Sequence, residues 1–386
     1  MAATFLEAGT DATFDFAFYP ITAVGGAGSS LTSATDQVYT GPRSIKSVCG
    51  TANNSVYCVT KDGAVADAGS AVSVRVRMST AAPSVFTGLF GVEGAGDGAS
   101  LICTALDTDG ILALSVNTVA GSTKKRGTIT IAANTWYRLC ESYVITSTTN
   151  WSAKLYVNDA LAVTMTNADA TLETTGSSDA YFGVNAFAAN GGTSAAMTAW
   201  FDDIYIDNRT DQTAIGDISV TAKLPAANNV NQFSTAIGAN PANRWTNVNE
   251  RTLSETNGWG DNAASTQLEN YTLQAASVGD ADLSSSTLVS RCAWLWAKQL
   301  VAVAGTPGIT DNGSTTAITL TTTSALYTKI TDSASYPSDV AGIGMRSAGN
   351  AADATDLFEC GTLIAYISLF VISNPSASSM VGRVYV

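Results

Sequence analysis

The feature that most constrains the fold is a series of short segments between residues 136 and 207 in which apolar and polar residues alternate. A period of two places one face of each strand in a core and the other face in water. Several such strands at short spacing, separated by turn residues, predict an antiparallel β-sandwich rather than a helical or an α/β fold. The four segments are 136–140, 153–157, 180–184 and 200–206.

Turn signals and a further alternating run extend this pattern towards the amino terminus. The dipeptides Asp109-Gly110 and Asn158-Asp159 each stand between two apolar runs, where a tight β-hairpin turn is expected. Valine and arginine alternate in residues 71–78, so we expect the valines in the core and the arginines on the outer face. Other strands are predicted within 13–18, 40–48, 55–60, 101–106 and 111–116.

A polar segment at 207–217 interrupts the alternation, and we predict a domain boundary there. A chain of 386 residues is long enough for two domains, each with its own core. The predicted domains are residues 1–210 and residues 218–386, and the expected fold class is all-β, with two tandem antiparallel β-sandwich domains. Strands of the second half are predicted at 218–224, 267–273, 288–303, 315–322, 326–331 and 363–371.

The charge content limits the partners that we expect. Charged residues make up 13% of the chain, about half the usual share, and the net charge is −13. This balance argues against nucleic acid as a partner, because phosphate binding needs a patch of lysine and arginine. The basic cluster 124–126 is interpreted as a solvated hairpin loop, or alternatively as a contact for an acidic partner. Low charge also favours broad contacts between subunits, and we expect a homo-oligomer.

The sequence shows no sign of export or of membrane insertion. The first residues have neither a basic start nor an apolar stretch, so no signal peptide is predicted. The longest apolar run, 364–372, is too short to cross a bilayer. We therefore expect a protein that is made in a cytoplasm, is not exported by the usual route and has no membrane partner.

Residue types exclude several kinds of catalytic site. The chain contains no histidine, which excludes Ser-His-Asp and Cys-His systems and the common zinc sites. The six cysteines are expected to be small buried side chains. Oxidation of Cys49 with Cys58 across a hairpin is the alternative for that pair. We predict that the protein is not an enzyme.

A sugar site is considered in the second half, where aromatic residues stand among asparagines. Trp245, Trp259 and Tyr271 could form an exposed platform for a glycan, and the alternative is that the tryptophans cover the second core. The remaining tryptophans fall in strand patterns and are predicted to be core residues. They are Trp136, Trp151, Trp200, Trp294 and Trp296.

The first half resembles the concanavalin A-like, or laminin-G-like, jelly roll. Three passages carry the resemblance: TGPRSIKSV at 40–48, the pair TWYRLCESYVI and NWSAKLYVNDALAVTMT within 135–166, and AWFDDIYIDN at 199–208. The resemblance implies that the first domain is a jelly roll of this type. The glucanase branch carries its paired carboxylates on one strand as Glu-x-Asp-x-(x)-Glu, a motif that this sequence lacks.

Domains of this resemblance often hold calcium with aspartate side chains and backbone carbonyls. The candidate ligands here are Asp107 with Asp109, and Asp202 with Asp203. The alternatives are that Asp109 shapes a hairpin turn and that the second pair begins a strand. Calcium is therefore the one cofactor considered, and the expectation is otherwise that there is none.

The second half resembles, more vaguely, a β-rich module of tailed-bacteriophage virion proteins. The passages are ANRWTNVNE, WGDN, RCAWLWAKQLVAV and the Tyr-x-Lys-Ile-Thr-Asp run at 327–332. The resemblance implies a non-enzymatic structural component of a virion, synthesised in the host cytoplasm: a capsid decoration, a head fibre or a tail-associated protein that contacts capsid or tail subunits. The alternative function is a carbohydrate-binding module that contacts host surface glycans.

Overall fold

The structure is a computed structural model, and most of the chain can be described from it. All structural statements below refer to the described residues. These are 3–7, 21–39, 43–50, 56–60, 65–94, 100–119, 121–184, 195–223, 225–233, 235–237, 243–248, 258–261, 266–273, 286–299, 307–311, 314–323, 325–332, 343–347 and 358–371.

Residues up to Asp207 form two antiparallel sheets that pack face to face. The fifteen strands that the structure describes here are β1 Ala3–Glu7, β2 Ile21–Val24, β3 Ser30–Ala34, β4 Ser44–Cys49, β5 Val56–Val59, β6 Gly69–Met78, β7 Thr87–Gly94, β8 Ser100–Leu106, β9 Ile111–Thr118, β10 Gly121–Thr130, β11 Trp136–Ser147, β12 Asn150–Val157, β13 Ala160–Thr166, β14 Ser177–Val184 and β15 Met197–Asp207.

We call these two sheets A and B. Sheet A has the order β13-β12-β11-β6-β15-β4-β3, with β1 paired to β15, and sheet B has the order β10-β9-β8-β7-β14-β5-β2. Strands that are distant in the sequence lie side by side, as β6 does between β11 and β15. This is a β-sandwich, as the alternation predicts, and it is of the jelly-roll type that the resemblance implies.

Side-chain alternation builds the core between sheets A and B. Val72, Val74 and Val76 of β6 are fully buried between the sheets, whereas Arg75 and Arg77 lie on the outer face. Both predicted hairpin turns are confirmed, since β8 turns into β9 through Gly110 at a φ of 83°. At the other turn, Asn158 and Asp159 have φ values of 48° and 69°, the left-handed conformation that such tight turns need.

Residues from Ile218 onwards form two further antiparallel sheets, C and D. Their strands are β16 Ile218–Lys223, β17 Pro225–Asn231, β18 Thr235–Ile237, β19 Gly258–Asp261, β20 Leu268–Leu273, β21 Ser286–Gln299, β22 Gly308–Asp311, β23 Ser314–Ala317, β24 Ala325–Asp332, β25 Ile343–Arg346 and β26 Phe358–Val371. Sheet C has the order β18-β19-β26-β21-β24, with β16 paired to β26, and sheet D has the order β17-β20-β25-β22-β23.

A second, smaller core lies within this half. It contains Phe233, Val248, Leu295, Ile309 and Met345, each at most 2% exposed. Sheet membership changes between Asp207 and Ile218, within the polar segment of the sequence. The all-β prediction is therefore confirmed, and the division into domains 1–210 and 218–386 stays a prediction.

Three local predictions need correction. The basic cluster 124–126 lies within strand β10 and not in a hairpin loop, because β10 pairs with β9 along its length. Cys49 and Cys58 are buried and belong to strands of different sheets, so they do not face each other across a hairpin. The predicted strand at 13–18 lies outside the described residues.

The predictions for the tryptophans of the strand patterns have mixed outcomes. Trp151 is buried in the first core, as expected. Trp136 is half-buried on the outer face of sheet A, so its assignment to the core is wrong. Trp200 is buried, as predicted, but it lies on the same outer face, in register with Arg77. The side chains of Trp294 and Trp296 lie outside the described part. Within the described residues, no helix is both long and apolar enough to cross a membrane.

Candidate functional site

A row of large and charged side chains crosses the outer face of sheet A. Trp136 of β11 is in register with Arg77 of β6, which is in register with Trp200 of β15. Trp200 is also in register with Lys46 of β4. Because residues directly opposite each other on adjacent strands share a face, these four side chains form a line across four strands. We call this line the transverse row.

Tyr39, in the connection between β3 and β4, extends the transverse row. Its ring meets the ring of Trp136 edge to face, with the centroids 5.9 Å apart, and lies 4.1 Å from the guanidinium carbon of Arg75. The backbone N–H of Tyr39 donates to Oδ2 of Asp202 at 2.8 Å, which ties the connection to the sheet. Tyr39 is 42% exposed and Trp136 is half-buried, so solvent reaches both rings.

Trp200 lies beneath the exposed side chains of the row and has little contact with solvent. Its side chain is almost buried, with Nζ of Lys46 at 5.4 Å and the guanidinium carbon of Arg77 at 5.9 Å from the ring centroid. A cation over an aromatic ring at such a site is stabilised by about 0.5–1 kcal/mol. The indole N–H donates to Oδ1 of Asp36 at 3.1 Å. The indole therefore holds two cations above one ring.

These two cations differ in their partners. Nζ of Lys46 forms a salt bridge of 2.5 Å with Asp36. Partial burial raises the pKa of Asp36, but the bonds from Lys46 and Trp200 outweigh it and leave the pKa below its ordinary value. Arg77 donates to the backbone oxygen of Asn134 and, at 3.5 Å, to its side-chain oxygen. Among the described residues, no carboxylate lies within salt-bridge distance of Arg77.

A second row of charges lies beside the first and is balanced within the chain. Arg138 of β11 is in register with Arg75 of β6, which is in register with Asp202 of β15. Both guanidinium groups bind Asp217, and Arg138 also binds Asp159. The two arginines are buried, so these charge-assisted bonds are the strong kind. The second row thus lies next to the transverse row, and its arginines have their own counterions.

Residues 208–217 cover another part of the same face of sheet A. Gln212 donates to the backbone oxygen of Ser152 at 2.7 Å and accepts from its hydroxyl at 2.6 Å. The hydroxyl of Tyr156 donates to the backbone oxygen of Gln212 at 2.7 Å. The covering segment reaches the second row at Asp217 and ends there. The transverse row lies beyond it.

The residues predicted to form a sugar platform in the second half do not form an exposed surface. Trp259 is 2% exposed and Tyr271 is fully buried, and both belong to the second core. Trp245 is half-buried and packs against the same core. The indole N–H of Trp259 donates to the backbone oxygen of Arg244 at 3.0 Å, inside this core. The alternative interpretation, that these tryptophans cover the core, is the one that the packing supports.

The first predicted calcium pair is engaged by arginine. Nε of Arg126 lies 2.8 Å from Oδ2 of Asp107, and another nitrogen of the same guanidinium binds Asp109. The pair closes the β8–β9 turn, and Asp109 Oδ1 also accepts from the backbone N–H of Ile111 at 3.4 Å. The guanidinium of Arg126 therefore already binds both carboxylates of this pair.

The second predicted calcium pair is buried in strand β15. Oδ1 of Asp202 accepts from the backbone N–H of Asp203 at 2.9 Å, and Oδ2 accepts from Tyr39. Asp203 has a φ of 48°, at an irregularity in the pairing of β15 with β6. No group of three histidine, cysteine, aspartate or glutamate side chains with metal-binding geometry occurs in the described part of the chain. Calcium binding stays a prediction at both places.

The sequence contained only part of the signal for the transverse row. Alternation in 71–78 places the arginines outward, and this is confirmed. The position of the two tryptophans depends on strand order, because β6 lies between β11 and β15 although the three are far apart in the chain. Alternation within one strand does not say which residues of distant strands share a row.

Comparisons with known proteins add little beyond the fold. No family model matches the chain, and no curated protein matches it. Three solved structures show limited similarity. An endo-β-1,4-glucuronan lyase from the fungus Trichoderma reesei has a TM-score of 0.41 and 12% identity, over 55% of this chain and 98% of that chain. The cellulose-induced protein Cip1 has a TM-score of 0.39 and 17% identity, over 51% of this chain and 94% of that chain, and the receptor-binding domain of botulinum neurotoxin type G has a TM-score of 0.31 and 12% identity, over 50% and 48%. Similarity of this degree carries no argument about ligand or activity.

Proposed function

We propose that the chain is a non-catalytic carbohydrate-binding protein whose ligand lies on the transverse row. One observation carries the proposal, namely that two solvent-reached rings, Tyr39 and Trp136, share a single sheet face with the cations Arg77 and Lys46. Aromatic rings pack against the C–H groups of a sugar ring, and the neighbouring donors bind its hydroxyl and carboxyl oxygens.

The chemistry of the row favours binding over catalysis. A general acid needs a raised pKa, whereas the pKa of Asp36, the carboxylate that borders the row, is lowered by Lys46 and Trp200 despite partial burial. The chain also has no histidine to act as a general base. We therefore propose a binding role with no reaction at this face.

A glycan array followed by calorimetry tests this proposal. Tyr39→Ala and Trp136→Ala should each weaken binding about 10- to 100-fold, because each removes a stacking surface worth about 1–3 kcal/mol. Phe86→Ala is the matched control, since Phe86 is a half-buried ring that also carries a cation, Lys124 at 3.8 Å, away from the row. Equal losses in all three variants, or no saturable binding by the unaltered protein, would overturn the proposal.

A virion component is the second candidate, and it is compatible with the first. The observations that favour it are a charge content of 13% and the position of β2 and β3 at the ends of sheets B and A as the structure describes them. Edge strands can pair with another chain and build a homo-oligomer or contact capsid or tail subunits. Host surface glycans would then be the ligands of the transverse row.

Quantitative mass spectrometry of purified particles tests this second candidate. A copy number near that of the major capsid protein would support a capsid decoration. A small fraction of that number would support a tail-associated protein or a head fibre. Absence of the chain from the particles would remove the virion proposal and leave the glycan proposal standing.

A further inference from the structure

Arg77 is distinguished from the other arginines on the outer face of sheet A by its partners. Arg75 and Arg138 share Asp217 as a counterion, whereas Arg77 donates only to the amide oxygens of Asn134. Among the described residues, Arg77 forms no ion pair with a carboxylate, and its guanidinium carbon lies 5.9 Å from the ring centroid of Trp200. The guanidinium therefore lies in the centre of the transverse row with its charge uncompensated by a nearby carboxylate.

The surroundings of Arg77 favour a planar acidic group on the ligand. The side chain lies between Trp136 and Trp200 in the strand register, so a sugar stacked on the row would pass directly over it. A guanidinium presents donors in a fixed fork that matches a carboxylate, and such paired bonds are about twice as strong as neutral ones. Neutral hydroxyl groups satisfy this fork less well.

The net charge of the chain means that any attraction for an acidic ligand must come from residues close to it. At a net charge of −13 the protein repels anions over distance, so its general field would not favour an acidic ligand. Asp36 faces the row but is bound to Lys46, and Asp202 beside Arg75 accepts two backbone N–H groups. Any preference for acidic sugars would then depend on Arg77 itself.

We infer that the transverse row recognises carboxylate-bearing sugars, with Arg77 as the residue that determines this specificity. The inference rests on the proposed glycan-binding function and names the class of its ligand. The carboxylate of one sugar unit pairs with the guanidinium of Arg77, and the units that follow on the β11 side stack on Trp136 and Tyr39.

Matched pairs of sugars test this inference by calorimetry. Oligoglucuronate and oligogalacturonate are compared with the same oligosaccharides after reduction of their carboxyl groups to alcohols. We expect the acidic forms to bind at least about tenfold more tightly than the reduced forms. Arg77→Gln should remove this preference, and Arg77→Lys should restore part of it, because lysine keeps the charge but loses the fork.

Lys124→Gln is the control for charge alone. Lys124 is also a cation over an aromatic ring, Phe86, and its removal changes the net charge equally without touching the row. Its binding should equal that of the unaltered protein. Equal weakening by Arg77→Gln and Lys124→Gln would overturn the inference, as would equal binding of acidic and reduced sugars. The second result would leave the proposed function intact, whereas no binding of any sugar would overturn both.

Discussion

The two halves of the molecule use the same residue types in opposite ways. In the first half, Arg77 lies by Trp200 on an outer sheet face, and the buried Glu141 lies on the inner face of the same sheet. In the second half, Arg244 stacks on Trp259 at 3.5 Å and binds the buried Glu269 through two nitrogens at 2.7 Å. The sheet thus separates Arg77 from Glu141 in the first half, whereas Arg244 and Glu269 are joined in the second.

The difference teaches how to interpret an arginine beside a tryptophan. In the second half Glu269 also accepts from the hydroxyl of Tyr271 and the N–H of Phe233, so the cluster is satisfied within the core. Such a cluster contributes to folding, because its carboxylate and its cation are paired with each other. In the first half the cation at the surface and the carboxyl in the core each lack an opposite charge among the described residues. The surface cation is therefore available to a ligand.

The largest expected effect concerns Glu141. Burial raises its pKa from 4.5 to about 8, against the opposing effect of Thr104, whose hydroxyl donates to Oε2 at 2.7 Å. Between these two pH values the unfolded chain loses the proton and the folded chain keeps it. The free energy of unfolding therefore falls by about 1.4 kcal/mol per pH unit as the pH rises, or about 5 kcal/mol in total.

Urea unfolding of Glu141→Gln between pH 5 and pH 9 checks this expectation. Because glutamine has no proton to lose, the variant should keep its stability and exceed the unaltered protein at pH 9 by several kcal/mol. Glu173→Gln, at an exposed position, is the control and should stay within about 0.5 kcal/mol of the unaltered protein. Parallel pH profiles for Glu141→Gln and the unaltered protein would show that Glu141 has a counterion after all and would break the comparison.

The next effect concerns the joined pair of the second half. Arg244→Met leaves Glu269, which is 1% exposed, without its cation in the core. Breaking a buried pair in this way costs about 3–5 kcal/mol. Arg77→Met removes an arginine that also lies over a tryptophan but has no carboxylate, and it should cost less than about 1 kcal/mol. Urea unfolding followed by tryptophan fluorescence measures both, and equal losses would erase the distinction between the two clusters.

The sequence predicts which face of a strand a side chain lies on better than which side chains of different strands lie together. Alternation places the valines of β6 inward and its arginines outward, because that depends on neighbours along one strand. It does not assign Trp136 and Trp200 to the row of Arg77, since this needs the order of strands distant in the chain. It also does not separate Trp259 in a core from Trp136 on an outer face. Each face of β11 mixes polar and apolar side chains, and β19 has only four residues, too few to show an alternation.

The smallest expected effect is that of removing divalent cations. The rule drawn from the two halves is that carboxylates with a partner inside the chain do not need a ligand, and it applies to both predicted calcium pairs. Arg126 binds Asp107 and Asp109, and backbone N–H groups bind Asp202. A chelator should therefore shift the melting temperature by less than about 1 °C, within the range of a neutral surface change. A clear drop that is reversed by added calcium would show that oxygen ligands other than these side chains complete a site. The variant Arg126→Gln would then identify which pair binds the ion. Freeing Asp107 and Asp109 would strengthen calcium binding at the first pair and leave a site at Asp202 unchanged.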